Sequence, residues 1–471
     1  MRMFTRSFLL LLVASLVSCA LPDTELWKDR GDGNFTKMPM ELATKVMVHG
    51  TGKSIVSNPV SGTHKGVSMW WQRSRLLRDS LLKQRSLLDE AYARGGNIEE
   101  ALDLMEISKG VPGRVDCLID GPEFFEALYQ SVKKAEHRID TQVFIFDNDD
   151  VATEFADLLK ERSQDVQCRV LMDRLGSIGG WWSPPETPMR AGFRPPSSMP
   201  HYLEEGSHVQ VRESMNPWLV ADHTKLILID QNEAYLGGMN IGREYLYEWH
   251  DMMVRVRGPV ITELQNIFDQ SWKTQGIWGD WDLLFSRKKK PDLSSPNTNN
   301  YPIRILRTGA GVTDIEKAIL VAIRMSRKRI DLQNSYVTSE VLLQELLAAR
   351  RRGVEVNFIY PERNDAPLME MANQRFAASL MEAGGHVFVY PGFSHLKAVV
   401  VDDWVCLGSA NLDGLSLRIN SELNIAYSNA KAVEVFRKRV FETDMKKSRR
   451  LQDGELKDLP PLLSHPVIQQ L

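Results

Sequence analysis

Apolar runs divide the central part of the chain into short strands and helices. RIDTQVFIF (138–146) and VQCRVLMD (166–173) predict strands, and DVATEFADLLKERS (150–163) between them carries apolar residues at helical spacing. A strand, a helix and a nearly continuous apolar second strand are typical of a βαβ unit in a sheet that is covered on both faces. The pattern therefore predicts an α/β fold.

The same order of elements occurs a second time. KRIDLQNSYV (328–337) predicts a strand, SEVLLQELLAARRRG (339–353) a helix and VEVNFIYP (354–361) a further strand. We expect an internal duplication that gives two pseudo-symmetric βαβ halves. Each half should be a mixed sheet flanked by helices, with the site of chemistry between them.

A polar motif is repeated in the same register in both halves. HTKLILIDQNEAYLGGMN (223–240) and HLKAVVVDDWVCLGSAN (395–411) each carry a His, a Lys two residues later, an Asp, a small-residue pair and an Asn. A carboxylate follows 28 residues after the first His and 27 after the second, and the second motif has one residue fewer in its turn. The matched pairs are His223 and His395, Lys225 and Lys397, Asp230 and Asp402, Asn240 and Asn411, and Asp251 and Glu422.

These residue types suit chemistry on a phosphodiester. Residues two apart on a strand face the same way, so each Lys should lie beside its His. Two lysines and two asparagines around facing imidazoles would stabilise the growing charge on phosphate oxygens. One neutral imidazole can attack phosphorus while the other protonates the leaving alkoxide. Asp251 and Glu422 would each hold the far nitrogen of one imidazole, and Asp230 and Asp402 are predicted to be structural.

No metal or other cofactor is expected at this site. The His-x-Lys spacing puts an ammonium where a second metal ligand would be, and an ammonium repels a cation. The net charge of −3 over 471 residues also argues against a generally basic nucleic-acid binder. Four cysteines do not form a disulfide framework in a chain of this length. Cys117, Cys168 and Cys406 are predicted to be thiols, although a Cys117–Cys168 bond stays open.

The N-terminal residues have the pattern of an export signal. Arg2 and Arg6 precede an apolar run at 8–17, which is too short for a confident membrane-spanning helix. The run ends in LVSC, which resembles the bacterial lipobox. The resemblance implies that Cys19 is lipidated and that the protein is anchored in the cell envelope, at the outer membrane facing the periplasm. A plain secretory signal or a short anchor remains the alternative.

The two motif regions resemble the paired HKD motifs of the phospholipase D superfamily. GGMNIGREYLYEWHDMMVRVRGP (237–259) and GFSHLKAVVVDDWVCLGSANLDGLSLRINSELN (392–424) are similar to its cardiolipin synthase branch, and the resemblance covers residues 114–445. It implies phosphatidyl transfer from a phospholipid such as phosphatidylglycerol through a phosphohistidine. His223 would be the nucleophile and His395 the acid and base, with the reverse assignment open. The need for a protein partner also stays open.

The remaining expectations concern loops and competing functions. Residues 70–108 predict two helices broken at Gly95-Gly96, and 176–200 predicts a long loop that could serve as a lid or touch a membrane. His250 has no matched partner and is interpreted as an ordinary polar residue, although its position beside Asp251 sets it apart from the other unmatched histidines. The alternatives to a transferase are a phospholipase D or nuclease that uses water, and a binding lipoprotein that only keeps the fold.

The sequence divides into six predicted segments. We expect a signal peptide at 1–18, an N-terminal region with helices at 19–110, a first half at 111–285, a linker at 286–300, a second half at 301–450 and a C-terminal tail at 451–471.

Overall fold

The computed structural model describes residues 58, 60–61, 64–68, 85–181, 183, 185–215, 220–276, 279, 281, 288–293, 299–365 and 367–456. The predicted signal peptide with Cys19 and most of the predicted tail lie outside the described residues. Within the described ranges, no helix is both long enough and apolar enough to cross a membrane.

The first half follows two short helices, which lie where the sequence predicts them on either side of Gly95-Gly96. The elements up to residue 274 are α1 Arg85–Ala93, α2 Ile98–Leu104, β1 Val111–Ile119, α3 Asp120–Lys134, β2 Arg138–Val143, α4 Asp150–Arg162, β3 Gln167–Asp173, α5 Arg174–Trp181, α6 Met199–Glu204, β4 Gln210–Ser214, β5 Leu226–Ile229, β6 Glu233–Gly237, α7 Arg243–Tyr247, β7 Met252–Arg257 and α8 Ile261–Thr274.

The second half repeats much of this order. Its elements are β8 Tyr301–Gly309, β9 Val312–Thr313, α9 Asp314–Met325, β10 Arg329–Gln333, α10 Glu340–Arg351, β11 Glu355–Pro361, α11 Pro367–Glu382, β12 His386–Tyr390, β13 Ala398–Val401, β14 Trp404–Gly408, α12 Gly414–Arg418, β15 Glu422–Tyr427, α13 Ala430–Arg437, a π-helical turn Lys438–Glu442, α14 Thr443–Lys447 and β16 Arg449–Arg450.

The strands of both halves form one mixed sheet. Its order is β16-β12-β11-β10-β13-β14-β15-β8-β1-β7-β6-β5-β2-β3-β4, and β9 pairs with β8. The halves join where β1 and β8 pair antiparallel, with Val111 opposite Ile303 and Gly113 opposite Tyr301. In each half a parallel trio, β2-β3-β4 or β10-β11-β12, lies beside the hairpin that follows the motif lysine. The predicted α/β fold of two similar halves is confirmed.

An apolar cluster drawn from both halves adds a second contact between them. It includes Leu226 and Leu228 of β5, Ala398 and Val400 of β13, and Phe268 of α8, all of which are almost completely buried. Fully burying a large aliphatic or aromatic side chain stabilises a fold by roughly 1.5–3 kcal/mol. The continuous apolar runs of these strands therefore serve a sheet that is packed on both faces.

The motif aspartates lie in the turns of the two hairpins. Asp230 accepts hydrogen bonds from the backbone N–H groups of residues 136, 137 and 138 at 2.7–2.8 Å. Asp402 accepts from those of residues 327, 328 and 329 at 2.7–2.9 Å. Both have the positive φ that Asp tolerates, 51° and 49°. These contacts tie each hairpin to the start of β2 or β10, which supports the structural role expected of both residues.

The predicted loop at 176–200 is shorter than expected, because α5 extends to Trp181 and α6 begins at Met199. Periodicity does not reveal α5, since its Gly-rich sequence has low helix propensity and tertiary packing holds it in place.

The cysteines agree with the preferred interpretation: Cys117, Cys168 and Cys406 are free thiols.

Candidate active site

The His and Lys of each motif lie in an extended segment directly before a hairpin strand. The prediction had put them within the strand, but β5 begins at Leu226 and β13 at Ala398. The Lys225 Nζ donates a hydrogen bond to the carbonyl oxygen of His223 at 2.9 Å, and Lys397 does the same to His395 at 2.6 Å. Both lysines are 1–2% exposed, so each ammonium is held beside its own histidine, away from bulk water.

The backbone of each motif pairs with the other half of the chain. The His223 N–H donates to the carbonyl of Ser421 at 2.9 Å, and the Ser421 N–H donates to Ala221 at 2.9 Å. The His395 N–H donates to the carbonyl of His250 at 2.7 Å, and the His250 N–H donates to Phe393 at 3.2 Å. Ser421 and His250 directly precede the two carboxylates of the predicted site. The segments that carry the histidines are therefore joined in parallel to the segments that carry the opposite carboxylates.

Each imidazole is paired with the carboxylate of the other half. His223 Nδ1 lies 3.0 Å from Glu422 Oε2, and His395 Nδ1 lies 2.7 Å from Asp251 Oδ2. Both carboxylate side chains are fully buried. A carboxylate on Nδ1 favours the tautomer that carries the lone pair on Nε2. Nε2 is then the nucleophilic atom of either imidazole, and neither half holds a complete His–carboxylate pair of its own.

A single position explains why the two motifs differ in their small-residue pair. Ser409 Oγ donates to Glu422 Oε2 at 2.5 Å and accepts from the Leu423 N–H at 3.0 Å. At the matched position, a Cβ on Gly238 would meet Asp251 Oδ1 at 2.3 Å, which is closer than any side chain can approach. The Asp251 carboxylate fills the space where a serine would stand, so the first motif needs glycine.

The two motif asparagines have different surroundings. Asn240 is held within the first half: its Oδ1 accepts from the Ile145 N–H at 2.9 Å, and its Nδ2 donates to Tyr245 Oη at 2.7 Å. Asn411 is 5% exposed, and its Oδ1 has no hydrogen-bond partner among the described residues. Hydrogen bonds within the protein therefore occupy both the oxygen and the nitrogen of the Asn240 amide, but not the amide oxygen of Asn411.

Burial controls the charge of the imidazoles and lysines. Burial, followed by repulsion from the nearby lysines, holds the pKa of His223 and of His395 well below the usual range. Burial also lowers the pKa of Lys225 to about 7 and that of Lys397 to about 8. Each of the four groups is shifted towards its neutral form.

The paired carboxylates respond to burial in the opposite direction. Burial raises the pKa of Asp251 to about 7 and that of Glu422 to about 8, although the lysines act against it. A phosphate anion among these groups would favour the protonated lysines and an imidazolium, because an opposite charge stabilises the charged form. The site is therefore electrostatically suited to an anionic ligand.

Aromatic side chains that the sequence reasoning missed surround the histidines. The His395 ring has Trp249, Tyr245 and Phe393 within 5.2–5.9 Å, measured between ring centroids. Phe144 lies 4.8 Å from the His223 ring and beneath the Lys225 ammonium. The walls of the site are therefore partly apolar, and more so around the second histidine. Phe393 lies two residues before His395, and Trp249 lies two residues before Asp251. This spacing is the sequence signal that could have identified both aromatic residues.

His250 is not an ordinary polar residue, contrary to the prediction. Its Nδ1 lies 2.7 Å from Asp120 and its Nε2 lies 2.7 Å from Asp444, and its ring stacks on Tyr390 at 4.5 Å. Burial alone would lower its pKa, but the two carboxylates raise the pKa of His250 to about 9. The imidazolium joins α3 of the first half to α14 of the second, directly beside Asp251.

We predict that His250→Gln lowers the free energy of unfolding at pH 7 by about 2–4 kcal/mol, because it removes a buried imidazolium from two carboxylates. The folded-state pKa is raised, so this stabilisation is complete below about pH 6.5 and is lost as the pH rises through about 9. Denaturant unfolding from pH 6 to pH 10 measures it, with the exposed His201→Gln as control. An equal difference between wild type and His250→Gln at pH 6 and pH 10 would contradict the assignment.

Comparisons with known proteins show which family the chain belongs to. The family model described as "Cardiolipin synthase, PLD-like domain" matches residues 128–272 and 319–445. Cardiolipin synthase 1 of Bacillus cereus is 27% identical over 356 residues, which is 71% of this chain and 67% of that protein. Cardiolipin synthase A of Pseudomonas syringae pv. syringae is 30% identical over 370 residues, which is 73% of this chain and 72% of that protein.

A solved structure has the same fold. Phosphatidylserine synthase of Haemophilus influenzae Rd KW20 superposes with a TM-score of 0.60 at 14% identity, over 77% of this chain and 93% of that one. The family model covers more than half of the chain and includes both motifs. The protein therefore belongs to the cardiolipin synthase family with phospholipase D-like domains, and it is a phospholipase D-like phosphatidyltransferase enzyme.

Proposed function

We propose that this enzyme is a membrane-tethered phosphatidyltransferase of cardiolipin synthase type that acts through a phosphohistidine intermediate. The observation that carries the proposal is the crosswise arrangement of the site. Two imidazoles, of His395, which is buried, and of His223, whose side chain is 12% exposed, each have a carboxylate on Nδ1, at 2.7 and 3.0 Å, and a buried lysine on the same segment. This arrangement offers one nucleophile, one proton carrier and the cations that a phosphodiester needs.

The first step forms a covalent intermediate. The Nε2 lone pair of His223 attacks phosphorus, a P–N bond forms, and the P–O bond to the headgroup alcohol breaks. His395, protonated in the presence of the phosphate anion, gives its Nε2 proton to the leaving alkoxide. Lys225, Lys397 and Asn411 would bind the non-bridging oxygens, whose negative charge grows in the transition state.

The second step reverses the proton transfer. His395 removes the proton of an acceptor hydroxyl, whose oxygen attacks phosphorus while the P–N bond to His223 breaks. Asp251 orients His395 and stabilises its charged form, and Glu422 does the same for His223. The aromatic walls around His395 keep bulk water away from the intermediate, which favours an alcohol acceptor over hydrolysis.

Phosphatidylglycerol is the substrate that we propose, on both sides of the reaction. Transfer of one phosphatidyl group to the headgroup hydroxyl of a second molecule would give cardiolipin and glycerol. The names of the relatives and the apolar walls of the site support a lipid over a nucleic acid. We further propose that lipidation of Cys19 tethers the enzyme to the cell envelope at the outer membrane, where it would face the periplasm. That tether is supported by the arginines and apolar run that precede LVSC in the sequence.

The lipid products test the proposed reaction directly. Purified enzyme mixed with phosphatidylglycerol liposomes should give cardiolipin and free glycerol in equal amounts, separated by chromatography and mass spectrometry. His223→Ala and His395→Ala should each lower the rate by about 1000-fold or more. His201→Ala, an exposed histidine on α6, serves as the matched control and should keep the rate.

Two results would contradict the proposal. Phosphatidic acid as the main product would mean that water is the acceptor, and the enzyme would then be a hydrolase. Absence of any lipid product from folded wild-type enzyme would show that phosphatidylglycerol is not the donor.

A trapping experiment tests which histidine is the nucleophile. A phosphatidyl ester with a p-nitrophenol leaving group needs no general acid, so His395→Ala should still release p-nitrophenolate, and the slow second step should leave the phosphatidyl group on His223. Mass spectrometry of the peptides should find the adduct on His223 in this variant. An adduct on His395 in the His223→Ala variant, with none on His223 in the His395→Ala variant, would reverse the roles.

A further inference from the structure

Three carboxylates are buried together close to the backbone that carries Asn240, the asparagine of the first motif. Asp147 and Asp149 lie between β2 and α4, and Glu244 lies in α7. One oxygen of each carboxylate lies within 4.8 Å of those of the other two. Their exposed fractions are 2%, 2% and 7%. A group of acids at this depth needs a compensating positive charge or proton, because burying unpaired carboxylates is costly.

The protein itself compensates only part of this charge. Asp149 caps α4 by accepting from the Ala152 N–H at 2.7 Å, and its second oxygen accepts from the Arg243 N–H. Asp147 Oδ1 accepts from the N–H of Asn148, at 2.7 Å. Asp147 Oδ2 and Glu244 Oε2 have no hydrogen-bond partner among the described residues.

The nearby arginine does not neutralise the cluster. The guanidinium of Arg243 forms an ion pair with Asp150 at 2.9 Å and donates to Thr187 Oγ1 at 2.9 Å. Burial, together with repulsion among the acids, raises the pKa of Glu244 to about 8 and holds that of Asp147 well above its usual range. Two buried carboxylate oxygens of the cluster, Asp147 Oδ2 and Glu244 Oε2, therefore have no positively charged partner among the described residues.

We propose that Asp147, Asp149 and Glu244 bind one divalent cation of the class that prefers oxygen ligands, Mg²⁺, Ca²⁺ or Mn²⁺. Carboxylates are the ligands that these ions take in proteins, and three of them converge on one space. The absence of cysteine or histidine from the cluster argues against zinc or copper.

The cation would stabilise the backbone beside the active site and take no part in the reaction. The Ile145 N–H holds Asn240, and the Asp147 N–H donates to the Ile241 carbonyl at 2.9 Å. Tyr245 follows Glu244 on α7 and contacts both Asn240 and the ring of His395. A cation on these carboxylates would join the loop after β2 to α7 and so fix the backbone that positions Asn240 and Tyr245.

Mn²⁺ binding tests the site without any measurement of activity. The purified full-length protein, stripped with EDTA and titrated with Mn²⁺ at pH 7.5, should bind one equivalent saturably by electron paramagnetic resonance. Its thermal midpoint should rise with Mg²⁺, Ca²⁺ or Mn²⁺, since a ligand of the native state stabilises it. Asp147→Asn and Glu244→Gln should each weaken Mn²⁺ binding by about tenfold or more. Glu154→Gln, an exposed acid on α4, is the matched control and should bind as wild type does.

Two outcomes would overturn the proposal. Wild-type protein that binds no stoichiometric Mn²⁺ and gains no stability from any of the three ions would mean that protons alone neutralise the cluster. Binding that survives unchanged in both folded variants would assign the ion to other residues. If a variant fails to fold, the wild-type titration alone still decides whether a cation binds.

Discussion

The site depends on a crosswise pairing, in which each half supplies the carboxylate that contacts the histidine of the other half. Each imidazole of the candidate active site is supplied by one half and contacts a carboxylate of the other, at 3.0 Å for His223 and Glu422 and at 2.7 Å for His395 and Asp251. The backbone bonds beside these contacts, at His223 and His395, also cross between the halves. One half alone would therefore contain a histidine without its carboxylate and a buried carboxylate without its histidine. Packing of the two halves is therefore what brings each histidine to its carboxylate.

The two halves differ in the length of the matched carboxylate side chain, which is Asp251 in the first half and Glu422 in the second. The shorter Asp251 takes its second contact from its own strand, the Met252 N–H, and leaves no room for a side chain at Gly238. The longer Glu422 takes its second contact from Ser409. Aromatic rings crowd His395 more than His223. These differences support unequal roles for the two histidines, as a reaction with one nucleophile and one proton carrier requires.

Much of the fold could be predicted from the sequence, because a sheet covered on both faces needs continuous apolar strands. The strands at 138–143, 167–173 and 355–361 lie within the predicted segments. The repeated spacing of the two motifs also predicted that both histidines and both carboxylates belong to one site, and the structure pairs each of these histidines with one of these carboxylates. The crosswise pairing could not be predicted, because spacing along the chain does not reveal which half a side chain faces. His250 was missed for a related reason: its partners, Asp120 and Asp444, lie 130 and 194 residues away in the chain.

The most direct test of the crosswise site is nuclear magnetic resonance of the imidazole protons in protein labelled with ¹⁵N-histidine. The Nδ1 protons of His223 and His395 should resonate far downfield because each is bonded to a buried carboxylate, and His223→Gln and His395→Gln would assign them. Glu422→Gln should move the His223 signal and leave that of His395, and Asp251→Asn should do the reverse. If Glu422→Gln moved the His395 signal and left that of His223 unchanged, each half would hold its own pair and the account would be wrong.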